Sequence, residues 1–277
     1  PLEAVGAAAR QRIKVFVQHN YMFEAGGVDL MVWDLLLCVS AIYSAIFIPL
    51  ATVFPEAGWD GHKAVEAVLD RCDGVLDGLV PGAGLGPPVD ARLIAEVNYF
   101  GSEALLDGLR PALAASDAAS VVQIGSNSTT LTPNLPDELV DAFLGHDRAT
   151  IDGVLTEAGA PFNSAIAYGA SKTAITRWCR RASITDEWVG QDIRLNVIAP
   201  GAVQTPLLKG GDDDPTFGPL TSQLPVPTGR AEPDDIAAWI VFMLSPAARF
   251  ACGSVVFVDG GSDAVIRTDD WPRTFMM

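Results

Sequence analysis

The chain has 277 residues, 49% of them apolar and 19% charged, a size and balance suited to one large α/β domain with a substantial core. Its formal charge of −16 leaves no basic surface to track phosphates, which excludes nucleic acid as a partner. Four scattered cysteines (Cys38, Cys72, Cys179, Cys252) and three separated histidines predict neither a disulfide framework nor a metal site, and point to a reducing cytoplasm.

Residues 1–54 differ in character from the rest of the chain. "LLLCVSAIYSAIFIPLATVF", Leu35 to Phe54, contains no charge, and about 20 apolar residues suffice to cross a bilayer. Asp34 just before the run and Pro49 inside it argue against a spanning helix, and no small-residue cleavage site marks a signal peptide. Three readings stay open. The segment is a membrane anchor, or foreign sequence joined to the domain by a shifted frame or gene boundary. Alternatively it is a buried unit with "IKVFVQ" as strand, "LMVWDLLLCVS" as helix and "AIFIPLATV" as strand. The domain proper is assigned to residues 55–277.

From Pro55 onward, helices alternate with short apolar strands. "GWDGHKAVEAVLDRCDG" carries Ala64, Val65, Ala67, Val68 and Leu69 at helical spacing. "VLDGLVPGAGLG" reads as a buried strand ending in a glycine-rich turn. "ARLIAEVNYFGSEALLDGLRPALAA" reads as a long helix, and "SVVQIGS" as the next strand. An insertion at about 131–160 places Leu139, Val140, Phe143, Leu144, Ile151, Val154 and Leu155 at helical intervals. One or two amphipathic helices are expected there, packed on their own domain or serving as a dimer contact or pocket wall. Beyond it come the helix "AYGASKTAITRW", the strand "IRLNVIAP", the helix "EPDDIAAWIVFMLS" and the strand "GSVVFVDGG". This alternation predicts a doubly wound, Rossmann-like parallel sheet, whose ligands collect beyond the carboxyl ends of the strands.

Tyr168 and Lys172, four residues apart, share one helix face. A cation held about 4 Å from a phenol stabilises the phenolate and brings its pKa from about 10 toward about 8. Such a group exchanges a proton with a carbonyl/alcohol pair near neutrality. Ser126 ends a strand and is placed to hydrogen-bond a substrate oxygen, and Asn98 is placed to hold a water that links Lys172 to solvent.

Together with "PGAG" at Pro81–Gly84, "VNYFG", "IGS", "YGASK", "PGAVQT" and "GRAEPDDIAAWIVFMLSP…GSVVFVDGG", these residues resemble the short-chain dehydrogenase/reductase family from residue 55 onward. The resemblance implies that Asn98, Ser126, Tyr168 and Lys172 catalyse hydride transfer between a nicotinamide and an alcohol or ketone, with Tyr168 as general acid and base. It implies cofactor contacts from Gly82, Ala83, Gly84, Asn98, Tyr168, Lys172, Pro200, Gly201, Val203 and Thr205, with NAD as the cofactor and NADP left open. It also implies a dimer or tetramer. The insertion, "RLNVIAPGAVQTPLL" and "VDGGSDAVIR" look most like the bacterial 3α-hydroxysteroid dehydrogenase/carbonyl reductase branch, so a 3α-hydroxysteroid or another carbonyl compound is the implied substrate. "TPLLKGGDDDPTFGPLTSQLPVPTG" reads as a mobile substrate lid.

One part is missing. The family's Thr-Gly-x-x-x-Gly-x-Gly pyrophosphate turn has no counterpart in residues 1–54. The nearest features are Gly26, Gly27 and Asp29 in "EAGGVDLMVWD". The alternative reading is therefore a catalytically silent or truncated homologue acting as a binding or scaffold protein.

Overall fold

Strands covered on both faces must be apolar throughout, and "VVQI", "LNVIA" and "VVFV" largely satisfy that demand. In the computed structural model, which describes residues 15–17 and 75–270, five strands run parallel in chain order. They are β1 (Val15–Val17), β2 (Gly78–Val80), β3 (Ser120–Ile124), β4 (Arg194–Pro200) and β5 (Val255–Val258). β1 comes from "IKVFVQ" and pairs Val15 with Gly78, Phe16 with Leu79 and Val17 with Val80. The expectations for Leu35–Phe54, for Gly26, Gly27 and Asp29, and for a helix in residues 58–74 fall outside the described residues.

The connection from β2 to β3 is a continuous helical rod in three pieces: α1 (Ala91–Ala95), a π-helical turn (Glu96–Gly101) and α2 (Ser102–Ala114). Asp90 caps its start, accepting the Arg92 and Leu93 amides at 3.0 and 3.1 Å. From β3 to β4 run α3 (Ser128–Leu131), α4 (Asp137–Leu144), α5 (Arg148–Ala158) and the long α6 (Phe162–Ala182). From β4 to β5 run α7 (Pro206–Asp212), α8 (Gly218–Thr221) and α9 (Pro233–Leu244), and α10 (Ser262–Ile266) comes after β5. The segment read as a mobile lid therefore contains two short helices.

Side-chain alternation along the strands splits the core in two. Val121, Leu195 and Val197 join Leu106, Leu109, Ala174 and Ile175 under α2 and α6. Val80, Val122 and Ile198 join Ile236 and Met243 under α9. The helices α4 and α5 pack onto the first core: Leu139 and Phe143 are fully buried, and the Phe143 ring lies 5.3 Å from Tyr99 and 5.9 Å from Phe100. Polar ties reinforce the contact. The Arg148 guanidinium sits 4.0 Å over the Phe100 ring and bonds Glu96, while His146 meets Glu103, whose carboxylate also accepts the Tyr99 hydroxyl at 3.2 Å.

Because Phe143 has no exposed surface, Phe143→Ala is expected to destabilise the protein by about 3–5 kcal/mol, measured by urea unfolding. A loss below about 1 kcal/mol would mean that the inserted helices do not share the core.

Candidate active site

Parallel strands end on one edge, so the segments after β2, β3 and β4 converge there. Lys172 reaches this edge from α6. Its side chain is buried (4% exposed) and its Nζ donates to the Ile124 carbonyl at the end of β3, at 2.9 Å. Burial alone draws the ammonium pKa from 10.5 down to about 8. The same carbonyl accepts the Gln123 amide at 3.1 Å, and that amide also donates to the Pro81 carbonyl at 3.2 Å. Gln123 thus ties the ends of β2 and β3 together beneath the lysine.

Asn98 lies inside the π-helical turn with no exposed surface. Its Oδ1 accepts the Leu85 amide at 2.8 Å and its Nδ2 donates to the Leu85 carbonyl at 2.9 Å. The side chain therefore clamps the loop after β2. Gly84 stands between the two groups: a β-carbon there would lie 3.5 Å from Asn98 Oδ1 and 3.5 Å from Lys172 Nζ. Gly82, Ala83 and Gly84 leave this part of the loop nearly free of side chains, so backbone and open space face the lysine.

Tyr168 sits one turn before Lys172 on α6 and is half-buried against the first core. Ser126 lies two residues beyond β3, 7% exposed, and its Oγ accepts the Ser128 amide at 3.1 Å. An oxygen that accepts in this way keeps its own proton to donate. The serine segment is braced twice: the Asn127 amide donates to the Pro200 carbonyl at 2.9 Å, and Thr130 Oγ1 donates to Asp263 Oδ1 at 2.7 Å. Asp263 is in turn paired with Arg267 at 2.7 Å.

Pro200 closes β4, and Gly201 turns the chain against the other side of the edge. A β-carbon at Gly201 would fall 2.6 Å from the Asp259 Cα, so only glycine fits this approach. Val203 bridges to Ala231 in parallel, and Thr205 Oγ1 accepts the Leu208 amide at 3.2 Å, capping α7. The loop after β2, the ends of β3 and β4, and the α6 pair therefore meet at one edge, with Asn98 and Lys172 flanking Gly84. Sequence reasoning missed Leu85, Gln123, Thr130 and Asp263. Gln123 alone left a signal, as the one polar side chain in "VVQI".

Known proteins share this architecture. A family profile described as Enoyl-(Acyl carrier protein) reductase matches residues 149–263. The 3-alpha-hydroxysteroid dehydrogenase/carbonyl reductase of Comamonas testosteroni is 37% identical over 211 residues, 75% of this chain and 81% of that protein. The galactitol 2-dehydrogenase (L-tagatose-forming) of Cereibacter sphaeroides is 38% identical, covering 64% of this chain and 77% of that protein. Among solved structures, the 3-alpha-hydroxysteroid dehydrogenase from Pseudomonas sp. B-0831 complexed with NADH superposes with a TM-score of 0.70 at 43% identity, covering 78% of this chain and 82% of that one.

A lysine whose pKa falls from 10.5 to about 8 on folding binds fewer protons folded than unfolded between those values. Its cost to stability is complete below pH 8 and fades as the pH rises toward 10.5. Lys172→Met leaves the Ile124 carbonyl with its Gln123 partner, so a gain of up to about 3 kcal/mol is expected near neutrality. Denaturation at pH 7 and pH 10 checks this: the gain should shrink at the higher pH, and a variant less stable than the parent at pH 7 would refute it.

Proposed function

Since the chain belongs to the short-chain dehydrogenase/reductase family, we propose that Tyr168, Lys172, Ser126 and Asn98 are its working residues and that its substrate is a small alcohol or ketone. The protein is an NAD(P)-dependent oxidoreductase. One observation carries the residue assignment: a buried ammonium flanks an open glycine loop at the carboxyl edge of the sheet, with the serine on the same edge and the tyrosine one helical turn away.

The residues present fit a nicotinamide and its ribose. Gly84 leaves the space beside Lys172 and Asn98 open; a β-carbon there would occupy it at 3.5 Å from each. Lys172 Nζ would hold the ribose hydroxyls, and Gly82, Ala83 and Gly84 would offer the backbone surface beside it. Pro200, Gly201, Val203 and Thr205 form the opposite flank, where the Thr205 hydroxyl keeps a proton to donate while capping α7. When bound, the nicotinamide supplies or accepts the hydride. NAD is the cofactor we assign, in line with the NADH held by the Pseudomonas relative.

The protein's own contribution is the proton and the geometry. Ser126 donates to the substrate oxygen and fixes it. Tyr168 gives its hydroxyl proton to that oxygen in reduction and takes it back in oxidation, a step for which a positioned acid contributes about 10²–10⁴-fold. Lys172 stabilises the phenolate left behind. Asn98 acts through Leu85, holding the glycine loop at its distance from the lysine. A 3α-hydroxysteroid, with its ring ketone as the oxidised partner, is the substrate we favour, by similarity to the Comamonas and Pseudomonas enzymes.

Self-association into a dimer or tetramer is supported by the outer face of α9, where Trp239 and Phe242 lie 42% and 46% exposed, and by the fully exposed Phe250 nearby in sequence. The cytoplasm is the compartment we assign. Cys179 and Cys252 are free thiols, and among the described residues no helix is long and apolar enough to cross a membrane.

The test is NADH oxidation with a ring ketone. Tyr168→Phe is expected to lower the rate about 10³-fold while leaving saturable NADH binding, followed by nicotinamide fluorescence, unchanged. A parent protein that fails to bind NADH at millimolar concentration would favour the scaffold reading instead.

A further inference from the structure

The segment after Thr205 touches both the loop after β2 and the start of α6. On one side Leu207 of α7 lies against Gly86 in the loop after β2, its Cδ2 3.2 Å from where a β-carbon would stand. On the other side the buried Phe217 meets, edge to face at 6.4 Å, the ring of Phe162, the first residue of α6. Beyond the second contact the segment is loosely packed: Leu220 and Leu224 are 52% and 42% exposed.

One polar cluster ties the segment down. Asp212, the last residue of α7, accepts from Arg230 Nη1 at 2.5 Å and Nη2 at 3.0 Å. It also accepts the hydroxyl of Thr221, the last residue of α8, at 2.6 Å. Hydrogen bonds from Arg230 first, and then from Thr221, hold the Asp212 carboxyl below the usual carboxylate range, so the pair is ionised at neutrality. Paired forks of this kind are stronger and more directional than single contacts.

The position of Arg230 gives the cluster its consequence. Its chain neighbour Ala231 is zipped to the segment before the lid: Ala231 N donates to the Ala202 carbonyl at 3.0 Å, and Gln204 N donates to the Ala231 carbonyl at 2.8 Å. The chain therefore closes a ring, from Thr205 along α7 to Asp212, across the ion pair to Arg230, and back through Ala231 to Val203. We propose that the Arg230–Asp212 pair latches the α7–α8 lid to the Ala202–Gln204 segment, so that Arg230 is a positioning residue coupling substrate enclosure to the cofactor's nicotinamide end. This rests on the reading of Val203 and Thr205 as cofactor contacts.

The full-length chain serves for the test, with Arg230→Met, the near-isosteric Asp212→Asn, and the exchanged pair Arg230→Asp with Asp212→Arg. Lys209 is exposed and is the one lysine in the lid, so cleavage at Lys209–Gly210 in the ligand-free protein by a lysine-specific endoprotease, blind to arginines gained or lost in the variants, reports lid opening. Each single variant is expected to be cleaved about tenfold faster, and the exchanged pair at close to the parental rate. The Kd for NADH and the KM for a ring ketone are expected to rise together by a similar factor, with kcat within about threefold of the parent. Unchanged cleavage in the single variants overturns the latch. Faster cleavage with an unchanged Kd for NADH overturns the coupling. A parent protein that does not bind NADH would instead sink the oxidoreductase reading, and the coupling with it, while the cleavage rates still decide the latch.

Discussion

An ammonium withdrawn from water is the element around which the rest of the site is arranged. Desolvating a lysine is costly unless its charge meets a compensating dipole. Here the dipole is the Ile124 carbonyl at the very end of β3, which is available because the strand ladder stops there. That choice fixes the depth of α6 against the sheet and, through the helix, the height of Tyr168 above it. Gln123 steadies the same carbonyl from below and links it to Pro81, so the base of the glycine loop shares an anchor with the lysine.

The parallel sheet makes such an arrangement possible without long-range contrivance. Each strand delivers one backbone carbonyl or short loop to the same edge, and each crossing helix returns a side chain to it. α6 delivers Tyr168 and Lys172, the π-helical turn delivers Asn98, and the loop after β3 delivers Ser126. The supports come from farther away. Asp263, beyond the last strand, grips Thr130 beside the serine, and the inserted helices clamp the rod that carries Asn98 through Glu96, Phe100 and Glu103. Distant parts of the chain thus stiffen the few side chains that must stay put.

The sequence carried the strand and helix order well, because alternation and helical spacing of apolar residues depend only on local geometry and burial. "SVVQI", "RLNVIAP" and "VVFV" read as strands, and "AYGASKTAITRW" reads as a helix that the structure extends to Phe162–Ala182. Site residues that lie at strand ends, such as Ser126 and Gly201, were readable because turn chemistry sits next to apolar runs. Partnerships were not. Nothing in "VNYFG" reveals that the asparagine amide faces Leu85, since that contact joins residues 13 apart through a distortion of the helix. The pairing of Asp212 with Arg230 was equally hidden, inside what composition alone marks as a loop. The pyrophosphate turn had no readable counterpart in residues 1–54, and that stretch apart from Val15–Val17 lies outside the described residues.

The π-helical turn has a further consequence. A widened turn holds one amino acid more than the α-helical path on either side needs, and each residue of an α-helix rotates the chain by about 100° about its axis. Excess length is thereby stored as angle: α1 and α2 follow one another without a break but are out of phase. Removing a single residue between Glu96 and Gly101 would let the rod relax to uniform pitch and swing Asp90, with the glycine loop that leads into it, around the barrel of the helix. In this stretch the chain can tolerate changes of residue far better than changes of count.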